Sequence, residues 1–224
     1  MIKKLLIASI ALIAVGASIA YVQRSDIALA LVEKVAAERM KNPLDGLTDG
    51  LHVGLCGTGS PFPDPQRAAP CTLVVAGKDM FLFDAGSAAA KQIAVMNFST
   101  GQLKGVFITH FHSDHIDGLG ELMLQRWVSN SNAEPVKVHG PKGVETVVNG
   151  FLQSYSLDRG YRVAHHGEHV LPNAGFGGIP QSFDVQEDKA TVVFENADTR
   201  ITAFSVSHAP IHPAVGYQIR YKDR

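Results

Sequence analysis

Apolar positions open the chain as one block. After Lys3 and Lys4, residues Leu5 to Val22 carry no charge and are mostly apolar. A basic start followed by such a block is the pattern of an export signal or a membrane anchor. At 18 residues it reaches the lower edge of what spans a hydrocarbon core of ~30 Å. Ser18-Ile19-Ala20 supplies the small residues of a cleavage point. The positive-inside rule then puts everything after Tyr21 outside the cytoplasm. Residues 1–24 are read as signal peptide or anchor, and the protein as exported, either periplasmic or membrane-anchored. Ile27, Leu31 and Val35 recur every four positions, opposite Glu33, Lys34, Glu38 and Arg39, which predicts a helix over Ser25 to Met40. Asn42-Pro43-Leu44-Asp45-Gly46 stops it, so 25–50 reads as a helical stalk or linker.

Beyond Leu51 the pattern shortens to strand-length apolar runs between glycine-rich turns. Leu51 to Cys56, Cys71 to Ala76 and Met80 to Phe83 read as strands, the last two joined by the tight turn Gly77-Lys78-Asp79. Ser87 to Met96 and Leu119 to Val128 read as helices, and Lys104 to Thr109 as a buried strand. Val136 to His139 is a further strand, after which Pro141 is read as the first position of a helix reaching Ser154. Residues 155–190 show little regular pattern and are read as a lid or binding loop. Thr191 to Glu195, Arg200 to Val206 and Val215 to Tyr221 complete the strands. The mixture predicts a layered α/β domain over 51–224.

Composition removes several classes of function. With 46% hydrophobic and 18% charged residues the chain is neither disordered nor a coiled coil. A net charge of -1 shows no basic excess for gripping a nucleic-acid backbone. Two cysteines exclude a disulfide scaffold or a cysteine-rich zinc module. Cys56 and Cys71 border the glycine and proline loop between the first two strands, where either a bridge or two buried thiols would fit.

Chemistry concentrates at His110-Phe111-His112-Ser113-Asp114-His115. Four candidate ligands in six residues follow a buried strand, so His110 and His112 can point at one ion while Asp114 and His115 face a neighbouring position. Imidazole and carboxylate donors suit Zn²⁺ or Fe without sulfur.

In these residues the chain is similar to the metallo-β-lactamase-fold hydrolases. Phe81-Leu82-Phe83-Asp84-Ala85-Gly86 resembles their first motif, Ile108 through Leu119 their second, and Ser205-Val206-Ser207-His208 their third. Gly57 to Pro61 and Pro213 to Tyr217 are most similar to ribonuclease Z and its arylsulfatase-like relatives. The resemblance implies an αββα sandwich whose second half is incomplete here. It implies a first metal site of His110, His112 and His208, and a second with Asp114 and His115. Asp84 would support the metal loop by hydrogen bonds rather than bind metal. The family's later bridging Asp and final His have no place before Arg224, so a C-terminally shortened chain is expected. On this reading one tight Zn²⁺ is bound here, against two in a full-length protein.

The expected function is a metal-dependent hydrolase. Zinc would make hydroxide available at neutral pH to attack an ester, sulfate or phosphodiester of a small molecule, with Asp114 as the catalytic carboxylate. The alternatives are a ribonuclease Z-like phosphodiesterase or endoribonuclease, and a non-catalytic metal-binding module. His212, His165 and His166 are candidates for the substrate pocket. The expected partners are a small-molecule substrate and, through the N-terminal segment, a membrane; nucleic acid is not expected.

Overall fold

The structure is a computed structural model that describes residues 21–39, 42–130 and 132–224. Most of the opening apolar block therefore lies outside the described residues. The chain divides into two compact units, Met1–Asp45 and Gly46–Arg224.

In the first unit, α1 runs from Arg24 to Arg39 with Asp26 in its first turn, where a carboxylate suits the helix dipole. Its fourfold row, Ile27, Leu31 and Val35, is exposed throughout. Among the described residues no helix is long and apolar enough to cross a membrane.

The second unit is built on a six-stranded sheet in simple sequence order. Strands β1 (Leu51–Gly57), β2 (Cys71–Ala76) and β3 (Asp79–Phe83) are antiparallel. Ala76 pairs with Asp79 across a two-residue turn, where Gly77 takes φ 62° and spares a Cβ that would strike the Tyr221 hydroxyl. From β3 onward the pairing is parallel, through β4 (Leu103–Phe107), β5 (Val136–Pro141) and β6 (Gly178–Phe183). Parallel neighbours need crossovers, and helices supply them. They are α2 (Ala89–Val95), the single turn α3 (Ser113–Ile116), α4 (Leu119–Asn130), α5 (Val144–Ser154) and α6 (Ser156–His166).

The central strands are covered on both faces, which explains their unbroken apolar runs. Met80, Phe81, Leu82, Val106, Phe107 and Val138 are fully buried. One face lies under the helices, with Ile93, Leu122 and Trp127 inside. The other meets a three-stranded antiparallel sheet of β7 (Thr191–Glu195), β8 (Thr199–Ser205) and β9 (Val215–Tyr221). Phe81, Phe83 and Phe107 pack there against Phe194, Ile201, Tyr217 and Tyr221. Phe83 stacks on Phe107 at 5.0 Å between ring centres, and Phe81 meets Phe194 edge-on at 4.9 Å. The fold is thus the expected mixed α/β arrangement of two facing sheets with helices outside the larger one.

Two local readings change, and a third that was left open is decided. Residues 155–190 hold α6 and β6 rather than a structureless lid. Pro141 ends β5, and α5 starts at Val144 behind Gly143. Cys56 and Cys71 form a disulfide with Cα atoms 5.0 Å apart, which closes the loop of residues 57–70 at its base. A hydrogen bond from Gly59 N to Ala68 O at 2.7 Å tightens the same loop.

Candidate metal centre

The centre forms where β3 and β4 end side by side. Asp84 follows β3 in the left-handed region, φ 58°, a conformation Asp tolerates better than most residues. Its N–H donates to Phe107 O at 2.8 Å, which carries the carboxylate across the end of β4. There Oδ1 accepts from Thr109 N at 2.8 Å. The Thr109 hydroxyl lies 3.1 Å from Oδ1 and 2.9 Å from Oδ2, and His115 Nδ1 lies 2.7 Å from Oδ2. Asp84 is buried, so these four contacts compensate its lost hydration.

Around this carboxylate the motif folds tightly. Ala85 N donates to His115 O and Gly118 N to Ala85 O, each at 2.9 Å. A Cβ on Gly118 would collide with the Gly86 carbonyl, and one on Gly86 with that of Asp114, so only glycine allows the two segments to lie together.

His110, His112 and His208 each present a ring nitrogen within 4.8 Å of the others. His110 is buried and the other two are exposed, which leaves the cluster open on one side. His110 Nε2 and His112 Nδ1 are 3.0 Å apart, too close for two donated protons and well suited to two lone pairs on one cation. Burial first, and then the neighbouring His115, push the His110 pKa down to about 4, so the ring is neutral at physiological pH as a ligand must be. Burial works against His115 as well, but its hydrogen bond to Asp84 and the charges of Asp84 and Asp114 prevail and raise its pKa. His115 Nε2 sits 3.6 Å from Asp114 Oδ2, and the two rings of His110 and His115 are 4.1 Å apart. Asp114 and His115 thus lie together beside the first cluster. Three imidazoles that converge with an open side fit a metal ion of the zinc type.

Two clefts flank the centre. One of about 670 Å³ runs from Ser60 to Ala69 past Ser87, Lys91 and Ser113 to Asp114 and Asp117. Phe62, 80% exposed, stands in its loop wall. The other, about 380 Å³, is lined by Glu187 and by Ser205 through His212. It brings His212 beside His208, whereas His165 and His166 sit exposed at the end of α6 and line neither cleft. Sequence reasoning gave Thr109 and Lys91 no role. Thr109 could have been noticed only as a hydroxyl directly before the histidine motif.

A family model described as Anti-Pycsar protein Apyc1 matches residues 51–223. The chain belongs to that family. Curated relatives place the Apyc1-family domain on the ribonuclease Z-like branch of the metallo-β-lactamase fold. Ribonuclease Z of Mycolicibacterium gilvum is 36% identical over 173 residues, 76% of this chain and 58% of the relative. Ribonuclease Z of Mycobacterium marinum is 36% identical over 173 residues, 76% of this chain and 59% of its own. The chain therefore spans somewhat under three-fifths of the length of these relatives. Among solved structures, human tRNase Z, short form, is similar with a TM-score of 0.58 and 21% identity over 76% of this chain and 64% of its own. The metallo-β-lactamase-fold protein YhfI of Bacillus subtilis follows with 0.52 and 18%, over 77% and 58%. Both likenesses concern the fold.

These relatives correct two expectations. A small-molecule partner with nucleic acid excluded conflicts with relatives named as ribonucleases. The net charge of -1 sums the whole chain and leaves local charge open, as where Arg67 and Lys91 share a cleft wall with Asp64, Asp114 and Asp117. An exported or membrane-anchored body conflicts with the same relatives, which are named for action on RNA rather than for anything at a membrane. Most of the N-terminal segment through which a membrane partner was expected lies outside the described residues, and among the described residues no helix is long and apolar enough to cross a membrane.

Proposed function

We propose that the chain is a metal-dependent phosphodiesterase that acts on RNA. The observation that carries this reading is the convergence of His110, His112 and His208, with Asp114 and His115 beside them. The three imidazoles would hold one zinc ion tightly and leave a position open. When bound, zinc makes water acidic enough to supply a nucleophile near pH 7 and screens charge that develops on phosphoryl oxygens. Asp114, buried at the edge of the larger cleft, is the carboxylate placed to orient the attacking water and accept its proton. The identity to ribonuclease Z sequences supports a phosphodiester as the bond and RNA as its carrier.

The larger cleft is lined by Arg67 and Lys91 and also by Asp64, Asp114 and Asp117. Arg67 and Lys91 offer two cations to phosphates, and Phe62 offers an exposed ring on which a base can stack. Arg67 also lies 3.8 Å from Asp64, an exposed pair that a phosphate can compete with.

The test is hydrolysis of single-stranded RNA and of bis(p-nitrophenyl) phosphate by the zinc-loaded chain, with p-nitrophenyl sulfate as the comparison. Cleavage of both phosphodiesters, lost on chelation and in His110→Ala, is expected, and RNA binding should weaken with salt. A chain that binds zinc tightly but leaves both phosphodiesters intact would overturn the reading.

A further inference from the structure

We infer that the Thr109 hydroxyl is a positioning group that fixes His110 in the tautomer whose Nε2 faces the metal. The inference rests on the metal-centre reading above and assigns a task to a residue outside the donor set.

The argument is a count of protons. Thr109 Oγ1 has one hydrogen and two lone pairs. Its neighbours within hydrogen-bond distance are both oxygens of the Asp84 carboxylate, at 3.1 and 2.9 Å, His110 Nδ1 at 3.0 Å and, at 3.5 Å, His115 Nδ1, whose much shorter contact of 2.7 Å is with Asp84 Oδ2. An ionised carboxylate can only accept, so the hydroxyl proton goes to Asp84. The hydroxyl oxygen is then left as an acceptor, and His110 Nδ1 must be the donor. With its hydrogen on Nδ1, His110 carries its lone pair on Nε2, the nitrogen 3.0 Å from His112 Nδ1 within the cluster. Rotation of the hydroxyl toward His110 would leave both carboxylate oxygens without it in a buried setting, which is the costlier choice.

One carboxylate therefore serves both donor groups by different routes. It reaches His115 directly, at 2.7 Å, and reaches His110 through the Thr109 hydroxyl. Asp84 also holds Thr109 by its backbone N–H at 2.8 Å, so loss of the hydroxyl alone leaves the main chain tied. That separation makes the role testable. Partners that orient a ligating histidine are commonly worth ~10–100-fold in metal affinity.

The experiment compares wild type, Thr109→Val and Thr109→Ser. In the metal-free protein, long-range ¹⁵N–¹H correlation spectra report which nitrogen of each neutral imidazole carries its proton. Wild type and Thr109→Ser should show His110 protonated on Nδ1, and Thr109→Val should shift it toward Nε2. Zinc affinity, measured against a chromogenic chelator, should fall ~10–100-fold in Thr109→Val and stay close to wild type in Thr109→Ser. His110 protonated on Nε2 in the wild type overturns the inference, even if Thr109→Val does not fold. So does a folded Thr109→Val that keeps wild-type affinity and tautomer. Failure of wild type to bind zinc at all would instead strike the metal-centre reading, since the tautomer measurement needs no metal.

Discussion

Asp84 Oδ2 and His115 Nδ1 lie 2.7 Å apart although 31 positions separate them in the chain. The contact spans the ends of β3 and β4 and joins the first motif to the second. Asp84→Asn tests its charge with little disturbance of the backbone, because Asn also tolerates the left-handed conformation found here. The expected result is a folded protein in which the His115 pKa drops, since burial is no longer opposed by that carboxylate. Zinc affinity should fall ~10–100-fold. NMR titration of the metal-free protein together with chelator competition measures both, and an unchanged His115 would contradict the account.

His208 arrives from the turn after β8, far in sequence from His110 and His112, and completes their cluster. Two imidazoles rarely hold zinc against dialysis, whereas three protein ligands with an open position are the usual catalytic arrangement. Elemental analysis after dialysis should find one tight zinc per chain in the wild type and none in His208→Ala. His115→Ala should keep it, because Asp114 and His115 belong to the neighbouring pair. Two tight zincs in the wild type, or retention by His208→Ala, would refute this assignment.

Much of this centre was legible because its ligands are local in sequence and follow strands whose apolar runs are unmistakable. Met80 to Phe83 and Val106 to Ile108 are buried on both sides, so no alternation obscured them. Helix α6 was missed because none of its residues is buried, and Leu157 and Tyr161 point an apolar edge outward instead of marking a core face. Strand β6 was missed because Pro180 reads as a breaker, yet β6 is the last strand in the sheet order, where an edge strand accepts proline. Thr109 stood inside the second motif, but nothing in the sequence gave it a task. Its role depends on Asp84, 25 residues away, and only the folded turn at Asp84 brings the two together.

The Cys56–Cys71 bridge closes a loop with a sequence separation of 15, the loop that forms one wall of the larger cleft. Restricting an unfolded loop of that size stabilises a protein by ~3 kcal/mol in the chain-entropy account. For a domain of this size that corresponds to a melting temperature ~6–12 °C higher. Thermal unfolding of oxidised wild type should therefore fall by that amount on reduction, while a Cys56→Ser, Cys71→Ser double variant should melt low in both conditions. A reductant-insensitive wild type would show that the bridge contributes nothing.

His139 sits on β5 with its ring stacked on Phe107, 4.6 Å between centres and 6° between planes, and edge-on to Phe194 at 6.5 Å. Its Nε2 is buried without a hydrogen-bond partner. Burial, reinforced by the charge of Lys137, lowers its pKa from 6.5 to about 4. Between those two values the unfolded chain binds a proton that the folded one refuses, so stability falls as pH drops from 6.5 toward 4. Above pH 6.5 the penalty vanishes. Below about 4 it levels off at roughly 3 kcal/mol, the shift converted at 1.36 kcal/mol per pKa unit. Replacement by leucine removes the titration and the orphaned nitrogen together, at the cost of the stacked ring. Urea unfolding of wild type and His139→Leu at pH 7.5 and pH 4.5 isolates this group, because the other histidines titrate alike in both proteins. The difference in unfolding free energy should move in favour of His139→Leu by ~2–3 kcal/mol on going to the lower pH. A difference that stays constant across that range would mean that His139 takes up its proton in the folded state as readily as in the unfolded one.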